Sequence, residues 1–396
     1  MRILTVNKND AGQRLDKFLS KAVKGLPMSL MYKYIRTKKI KVNRARAEQN
    51  QMLKEGDEVQ LFIKDEFFDT PSKDAGALTA IRPKLDIVYE DDNILLLNKR
   101  PGVLVHDDAE GGENTLIMHV QAYLVGKGEY DPADEQSFAP ALCNRIDRNT
   151  GGMVIAAKNA EALRVMNRLI REDELSKCYL CLAHGHMEMP RATLHGWLRK
   201  DSADNTVTVA DAEFPGSKEI ITRFRVVDEG EQDGEPVSLL EVELVTGRTH
   251  QIRAHLAHIG HPLVGDGKYG VNRDDKRSGY KYQALYAYRL RFNVKGDGEC
   301  LDYLRGKEFR ISPDDIWFTE HFDLSALDQP DDAPKPAWQF KSAPKPASKP
   351  APKPAPKSAP KPASKVPQKN APRPSSRAPQ KPSKPHNNRG GKDGHK

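Results

Sequence analysis

The amino-acid sequence predicts an α+β protein made of a small mixed module, a strand-rich body and a tail. Residues 1–65 combine short helical and strand patterns. Residues 84–328 contain more strand patterns than helical ones, and residues 66–83 are typical of a linker because Pro, Gly and small polar residues occur there without periodicity. Residues 329–396, rich in Lys, Pro and Ala, should be disordered because they have almost nothing to bury.

The N-terminal module is expected to bind RNA. Apolar residues at helical spacing predict a helix over residues 15–22, and Ser29 is expected to cap a second short helix. Strands are expected over residues 38–43 and 57–62. Basic residues concentrate around the second helix and the strand after it: Lys33, Arg36, Lys38, Lys39, Lys41, Arg44 and Arg46. The alternative, an ordinary solvated face, is disfavoured by their concentration in one compact module.

The body begins with a predicted hairpin. Two apolar runs within residues 85–106 flank the polar residues 91–93, which favour a turn. Further along, Asn159 precedes apolar residues at helical spacing up to Ile170, so a helix should cover the sheet there. The run KCYLCLAHG, residues 177–185, is predicted to be a strand.

The charge of the chain is unevenly distributed. The formal net charge is +8, but residues 1–62 carry 14 basic and 6 acidic side chains, residues 341–396 carry 15 and 1, and the residues between them carry 34 and 48. An acidic body should not bind nucleic acid strongly by bulk electrostatics, so the ends or a local basic cleft must contribute. In the tail, Lys or Arg recurs at every fourth position from Lys341 to Lys381. We favour a non-specific RNA tether over a merely solubilising tail.

The sequence gives no sign of secretion or of membrane insertion. The first ten residues lack an apolar signal region, and no uncharged apolar run is long enough to span a bilayer. The four cysteines are too few for a disulfide scaffold of this size. Cys178 and Cys181 could form half of a redox or zinc site, but three positions apart on a strand they should face opposite ways. We therefore expect a cytoplasmic protein with buried cysteines. The sequence does not indicate an oligomeric state, and a monomer is the default expectation.

Candidate chemistry lies in three stretches of the body. In NRIDRNTGG, Asp147 stands between Arg145 and Arg148, which favour its ionised form, and the two glycines suggest a tight turn with a close backbone approach. An ionised carboxylate suits a nucleophile or a base. A salt-bridged structural Asp is the alternative.

The other two stretches are a strand and a strand-to-helix junction. Tyr179 should share a face of its strand with Cys181, where a tyrosine is more often a core residue than a catalyst. In TGRTHQIRAHLAHIGHPLVGDGKYG, a strand leads through Gly247 into a helix that should end at Gly260. Side chains suited to binding phosphate or carboxylate crowd this junction: Arg248, His250, Gln251 and Arg253.

Together these motifs carry a family resemblance. NRIDRNTGG, KCYLCLAHG and the TGRTHQIR stretch, in this order after NKRPGVLVH, resemble the RluA family of pseudouridine synthases over residues 80–295. The N-terminal segments GQRLDKFLS, SLMYKYIRTKKIKVN and LKEGDEVQLF resemble an S4 RNA-binding domain. The combination resembles the branch that modifies large-subunit ribosomal RNA. The resemblance implies a mixed, mostly antiparallel sheet with peripheral helices.

The resemblance also implies roles for individual residues. Asp147 would be the catalytic carboxylate, Tyr179 would pack against the target base, and Arg253 would pair with Asp147. Arg145 would help to displace the target nucleotide from its helix. The family usually has His-Arg-Leu-Asp where this chain has Asn144-Arg145-Ile146-Asp147.

The implied chemistry accounts for these residue types. Uracil is detached from the ribose at N1, turned over and rejoined through C5, after the nucleotide has been flipped out of its stack. Asp147 could attack C1′, attack C6 of the ring or remove a proton from C2′, and the sequence leaves all three open. Nothing is oxidised and no group is acquired, so we expect neither a cofactor nor a metal. Structured RNA, ribosomal or transfer, is the expected partner.

Three other functions were weighed against this one. The histidines from His250 to His261 do not have the H-E-x-x-H spacing of a metal hydrolase. A glycosidase needs two facing carboxylates, and the only other candidate, Asp266, looks structural. A non-catalytic RNA-binding assembly factor is the main alternative, which the intact set of Asp147, Tyr179 and Arg253 argues against.

Overall fold

The structure is a computed structural model that describes residues 1–68, 78–106, 115–201, 204–270 and 272–328, with only the backbone described for 272–274. The predicted linker is therefore described only in part, and the predicted disorder and tether function of the tail lie outside the described residues. Within these ranges, no helix is long and apolar enough to cross a membrane.

The N-terminal module contains two helices and a four-stranded sheet with its own hydrophobic core. Its elements are β1 (Arg2–Thr5), α1 (Leu15–Ala22), α2 (Met28–Arg36), β2 (Ile40–Val42), β3 (Ala45–Arg46) and β4 (Glu58–Leu61). The strands are ordered β1-β4-β2-β3, all antiparallel. The expected cap at Ser29 is wrong, because α2 begins at Met28 and its N-cap is Pro27, two residues before Ser29. Proline suits this end of a helix, where its missing N–H removes no helical hydrogen bond.

The body is dominated by strands, as predicted. Its strands are β5 (Ile87–Glu90), β6 (Ile94–Lys99), β7 (Ala141–Leu142), β8 (Gly151–Ala157), β9 (Leu175–His184), β10 (Arg191–Asp201), β11 (Thr206–Ala210), β12 (Lys218–Gln232), β13 (Glu235–Leu244), β14 (Leu285–Phe292) and β15 (Glu308–Arg310). Its α-helices are α3 (Leu116–Lys127), α4 (Ala160–Arg171), α5 (Gln251–His258) and α6 (Asn272–Arg277). Among the residues that the structure describes, four short 3-10 helices are present, one before the body at Asp65–Phe67 and three within it at Glu299–Leu304, Pro313–Asp315 and Ser325–Asp328.

One eleven-stranded sheet organises the body. Its order is β11-β10-β12-β13-β9-β14-β8-β6-β5, with β15 paired to β14 and β7 paired to β8. The pairing of β14 with β8 is parallel, and the other pairings are antiparallel. One face of the sheet packs against α4 and the segment after β14, and the other face packs against α3 and α5. This confirms the mixed, mostly antiparallel sheet with peripheral helices.

Several local predictions are confirmed. Strands β5 and β6 form the expected antiparallel hairpin around residues 91–93. The Asn159 side chain caps α4 by accepting a hydrogen bond from the Ala162 N–H at 2.8 Å. Cys178 and Cys181 are buried in the two different cores, and burial raises the pKa of Cys178 to about 12. Both are free thiols, so the strand interpretation is confirmed.

The glycine pair after Asp147 joins the two halves of the sheet. A Cβ at Gly151 would lie 2.3 Å from the Tyr286 ring, and one at Gly152, where φ is +109°, would lie 2.2 Å from the Ala287 carbonyl oxygen. The expected close approach is therefore present, but the glycines open β8 and do not form the turn. The turn precedes them, closed by the Thr150 N–H donating to the Asp147 carbonyl at 3.1 Å.

Polar contacts connect the N-terminal module to the body. The carboxylate of Asp10, which is fully buried, accepts from the Ser137 N–H at 3.1 Å and from its hydroxyl. Asn9 donates to Glu135, and Arg164 of α4 donates to the Ala11 carbonyl at 3.1 Å. The side chains at this junction are largely hydrogen-bonding groups, which fix direction as well as distance.

Substitution of Gly152 by alanine should destabilise the body. The added methyl would meet the β14 backbone and would also require a disfavoured positive φ, so the free energy of unfolding should fall by roughly 3 kcal/mol or more. Denaturant titration followed by circular dichroism measures this. The matched control is Gly126→Ala in α3, where a Cβ meets nothing within 4 Å and stability should rise slightly. Equal stabilities of the two variants would contradict the close approach.

Candidate active site

The sheet brings the three predicted central residues together from distant parts of the chain. Asp147 lies in the loop between β7 and β8, Tyr179 lies in β9, and Arg253 lies in the first turn of α5. Strands β8 and β9 both flank β14, and α5 packs on the face to which Tyr179 points. The site therefore lies at the start of β8, under α5.

Asp147 is held through one carboxylate oxygen. Its Oδ2 accepts a hydrogen bond from Nη1 of Arg253 at 2.7 Å and lies 3.7 Å from Nε2 of His250. Its Oδ1 accepts no hydrogen bond from any residue in the described part of the chain. The side chain is 26% exposed. One oxygen is thus fixed while the other remains open to a substrate.

Arg253 is itself held by a second, deeper carboxylate. Its Nε and Nη2 donate to the two oxygens of Asp266 at 2.7 and 2.8 Å, and Asp266 is fully buried. Burial acts to lower the pKa of Arg253, but the hydrogen bonds and charges of Asp266 and Asp147 outweigh it and raise that pKa. Burial likewise acts to raise the pKa of Asp266, and Arg253 lowers it overall. Both groups are therefore charged, and a bidentate pair of this kind fixes the guanidinium plane.

The segment after α5 supports the same pair from below. The backbone N–H groups of Lys268 and Tyr269 donate to Oδ1 of Asp266 at 2.9 and 3.2 Å. The Tyr269 ring lies under the guanidinium of Arg253, with the ring centroid 5.2 Å from its Cζ. The sequence interpretation of Asp266 as structural agrees with this geometry. The sequence did not indicate that Asp266 hydrogen-bonds to Arg253 or that the Tyr269 ring packs against that guanidinium.

Tyr179 lies beside Asp147 as a neutral phenol. Its side chain is 7% exposed. Burial raises its pKa, and the negative charge of Asp147 raises it further. The ring therefore contributes an apolar surface at the site and does not supply a phenolate.

His250 has an unusual backbone conformation at the start of α5. Its φ of 52° lies in the left-handed region, which non-glycine residues rarely adopt. Its Nδ1 is 2.8 Å from the Tyr269 hydroxyl, and burial lowers its pKa against the opposing charge of Asp147. The imidazole predicted to contact RNA thus lies against the carboxylate of Asp147 and is fixed there by Tyr269.

Lys99 is a buried lysine that the sequence analysis missed. Its ammonium donates to the carbonyls of Arg100, Val103 and Arg148, at 3.2, 3.0 and 2.9 Å. Burial lowers its pKa to about 7, and the charge of Asp147 opposes that shift. Lys99 ties the end of β6 to the loop that carries Asp147. Its place in the motif NKRPGVLVH, two residues before Pro101, is the sequence signal that could have found it.

The arginines beside Asp147 in sequence do not pair with it. Arg145 and Arg148 are exposed, and Arg148 donates to the Gly102 carbonyl at 3.2 Å. Arg248 is also exposed at the junction before α5. The expectation that flanking arginines hold the carboxylate is therefore corrected, because Arg253 makes that contact. Asn144, which departs from the family pattern, accepts from the Ile155 N–H at 2.8 Å and anchors the loop to β8.

The predicted RNA contact of Gln251 is also corrected. Its side chain is 2% exposed, and its amide donates to the Ile221 carbonyl and the Thr222 hydroxyl. Its oxygen accepts from Thr246 and from the Arg248 N–H. Gln251 fixes the junction between β13 and α5 and is not available to a ligand. The four candidate contacts of the N-terminal module are all exposed: Lys33, Arg36, Lys38 and Lys39.

The geometry disfavours the two rival enzyme classes. In the part of the chain that the structure describes, no three His, Cys, Asp or Glu side chains are grouped as metal ligands would be. Asp266 is bound at both oxygens by Arg253, so it cannot serve as the second carboxylate of a glycosidase.

Comparison with known proteins identifies the family. Residues 93–258, which include Asp147, Tyr179 and Arg253, match the model of RNA pseudouridylate synthases, and residues 13–59 match the S4 domain. An RNA pseudouridine synthase of Mycoplasma genitalium is 34% identical over 295 residues, covering 72% of this chain and 88% of the relative. The chain belongs to the RNA pseudouridine synthase family. This family membership supports an enzyme over a non-catalytic assembly factor.

Other relatives agree over most of their length. The ribosomal large subunit pseudouridine synthase C of Escherichia coli is 31% identical over 315 residues, covering 76% of this synthase and 91% of the relative. The protein of that name from Salmonella typhi is 31% identical over 335 residues, covering 78% and 98%. A solved human structure, RNA Pseudouridylate Synthase Domain Containing 1, covers 59% of the chain at 25% identity with a TM-score of 0.44.

A buried histidine on α5 makes the stability of the synthase depend on pH. His255 is 1% exposed, and its Nδ1 lies 3.0 Å from the Thr222 hydroxyl. Burial, assisted by the nearby His258, lowers its pKa to about 4. In the unfolded chain the pKa should be near 6.5, so the unfolded state takes up the proton first as the pH falls. The contribution of His255 is complete above pH 6.5 and is lost as the pH falls toward 4.

His255→Gln should remove this dependence. Between pH 7.5 and pH 5 the free energy of unfolding of wild type should fall by about 2 kcal/mol more than that of the variant. Urea titrations at the two pH values measure the difference. His186→Gln is the control, since that side chain is 59% exposed and its variant should follow wild type. Parallel pH profiles for wild type and His255→Gln would contradict the buried neutral imidazole.

Proposed function

We propose that this synthase isomerises specific uridines of large-subunit ribosomal RNA, with Asp147 as the essential catalytic carboxylate. The observation that carries the proposal is the asymmetric hold on Asp147, whose Oδ2 is fixed at 2.7 Å by Arg253 while its Oδ1 is open. We further propose that the enzyme acts in the cytoplasm as a monomer.

The reaction needs one group that can react at the ribose or the base without leaving the site. The N1–C1′ bond breaks, a C5–C1′ bond forms, the proton at C5 departs and N1 acquires one, so the atoms balance without a co-reactant. An ionised carboxylate can attack C1′, attack C6 or remove the C2′ proton. Each route begins at an oxygen such as Oδ1 of Asp147.

Arg253 keeps Asp147 oriented in this proposal. Because Asp266 already occupies two donors of Arg253, the guanidinium cannot rotate toward Asp147 and bind it at both oxygens. The three charged groups together carry one net negative charge. A single carboxylate charge is therefore left for the reaction.

The remaining residues serve the flipped nucleotide. Tyr179 offers its ring to the target base, and exposed Arg145 and Arg148 at the edge of the site contact the RNA where the nucleotide has left its stack. Arg248, also exposed, adds a phosphate contact. His250 contacts Asp147 and not the RNA in this proposal, since its Nε2 lies 3.7 Å from the carboxylate.

Relatives and domain organisation support the choice of substrate. The relatives from Escherichia coli and Salmonella typhi bear the name of large-subunit ribosomal enzymes, and the alignments cover 91% and 98% of them. We propose that residues 1–65 act as an S4-type RNA-binding domain whose exposed basic side chains include Lys33 and Arg36. Residues 84–328 form the catalytic domain in this scheme, after a linker at 66–83. The tail from residue 329 acts as a tether.

Asp147→Asn should abolish pseudouridine formation while RNA affinity stays within a few-fold of wild type. The loss should be roughly a thousandfold or more, because the amide keeps the shape but lacks the charge. Release of tritium from RNA labelled at uridine C5 measures turnover, and filter binding measures affinity. Asp92→Asn, at an exposed turn, is the control and should retain full activity. Near-wild-type turnover by Asp147→Asn would refute the catalytic assignment.

Two truncations should separate the contributions of the termini to RNA binding. Removing residues 341–396 deletes 14 net positive charges, so the slope of log affinity against log salt should become shallower by about 0.7 to 0.9 per lost contact. Removing residues 1–65 should instead weaken modification of the proper RNA selectively, because a folded module recognises shape. Both are measured on cognate and scrambled RNA at two salt concentrations. If removal of the tail does not change the salt slope, the tail does not tether RNA and is better explained as a solubilising element.

The substrate is tested by mapping pseudouridines in cells with and without the gene. A reagent specific for the modified base should reveal sites in large-subunit ribosomal RNA that disappear in the deletion strain. Disappearance of sites in transfer RNA alone would overturn the substrate while leaving the enzyme class intact.

A further inference from the structure

An arginine-rich groove lies on the face of the sheet opposite to the active site. It has a volume of about 180 Å³ and crosses strands β9, β10, β12, β13 and β14. Cys178 lines it, whereas the next residue in the strand, Tyr179, belongs to the active site. Successive side chains of a strand point to opposite faces, so the sheet separates the two sites. Five arginines line the groove: Arg191, Arg223, Arg225, Arg289 and Arg291.

The three glutamates of the groove already have partners. Glu241 accepts hydrogen bonds from Arg225, Arg289 and the Tyr288 hydroxyl, and it is 6% exposed. Glu243 pairs with Arg223 at 3.0 Å, and Glu308 accepts from Arg310 at 2.6 Å. The three carboxylates neutralise only part of the charge of the five arginines, so the groove keeps a net positive charge.

Arg191 and Arg291 carry that residual charge. Among the described residues, neither guanidinium has a hydrogen bond or an ion pair within 4 Å. Arg191 stands directly opposite Arg225 in the ladder between β10 and β12. Like charges at directly opposed positions destabilise a sheet. Glu241 already neutralises Arg225, so Arg191 is the member of this cross-strand pair without a counter-charge, which a negatively charged ligand could supply.

We propose that this groove binds a phosphate group of the substrate RNA, outside the nucleotide that enters the active site. Arginine recognises phosphate through two parallel hydrogen bonds, and the free guanidiniums of Arg191 and Arg291 can each offer such a pair. The ligand is a phosphate and not a base, because the ring of Phe224, the aromatic residue in the lining, belongs to the hydrophobic core on the opposite face of the sheet and cannot stack in the groove.

The charge of the body favours RNA as the source of that phosphate. Residues 63–340 carry 34 basic and 48 acidic side chains, so general attraction to RNA is weak there and a local basic site is needed. The groove gathers five of those basic side chains on one face. The inference rests on the RNA chemistry of the family and not on the choice of ribosomal substrate.

The test compares two pairs of substitutions in the full-length enzyme. Arg191→Ala with Arg291→Ala removes the two unpaired arginines and leaves the buried Glu241 network intact. Arg171→Ala with Arg199→Ala removes two exposed arginines outside the groove as the matched control, Arg171 being 70% exposed. Circular dichroism and thermal melting without ligand first establish that both variants fold. The groove variant should melt no lower than wild type, because a like-charge contact has been removed.

The groove variant should bind RNA more weakly than wild type, and the difference between the two should become smaller as the salt concentration rises. The slope of log affinity against log salt should become shallower by about 0.7 to 0.9 for the groove variant, so a fourfold rise in salt shrinks the wild-type advantage about threefold. KM for RNA should rise, while the single-turnover rate at saturating RNA should match wild type. Arg191→Lys with Arg291→Lys should recover the slope and only part of the affinity.

Two results would overturn the proposal. If the groove variant has the same salt slope and the same KM as the control variant, the groove does not contact RNA. The second result uses pyrophosphate at constant ionic strength as the probe. If pyrophosphate raises the melting temperature of wild type but not of the groove variant, while the two bind RNA equally, the groove binds a free phosphate compound instead. Activity of wild type on the same RNA is measured first, so that failure of the ribosomal substrate is recognised separately.

Discussion

The double hydrogen bond between Arg253 and buried Asp266 is the interaction on which the position of Asp147 depends. Removing one partner of a buried ion pair typically costs about 3 to 5 kcal/mol, because the other charge is left without compensation. Here the pair is itself anchored by backbone N–H groups of the following turn. The third donor of Arg253 is consequently aimed at Asp147 before any RNA arrives, and catalysis gains when charge is placed in advance.

The sheet supplies the second constraint, by fixing both ends of the loop that carries Asp147. At one end, Asn144 is bonded to β8; at the other, Gly152 lies against the backbone of β14. Lys99 holds the middle through the Arg148 carbonyl. A loop with three such anchors has little freedom to move, although its arginines point into solvent. Rigid placement of the carboxylate and exposure of the arginines are thus combined within four residues, 145–148.

The sequence predicted what periodicity and motif chemistry encode locally. The hairpin before Lys99, the helix capped by Asn159 and the strand containing Tyr179 follow from short-range patterns, and the pair of Asp147 with Arg253 follows from the family resemblance. Hydrogen bonds between residues far apart in the sequence have no local pattern from which they could be predicted. Gln251 looked like a ligand because it is polar and beside arginines, yet it is buried by residues about 30 positions away.

The parallel pairing of β8 with β14 has a consequence for how the chain folds. The two strands lie more than 120 residues apart in sequence, so the halves of the sheet cannot join until the chain has been made through Phe292. The N-terminal module closes its own core over the first 68 residues and has mostly short-range contacts, which form quickly. During synthesis, a folded RNA-binding module therefore exists before Asp147 has its guanidinium partner. A nascent chain can be retained on RNA while it is still chemically inert.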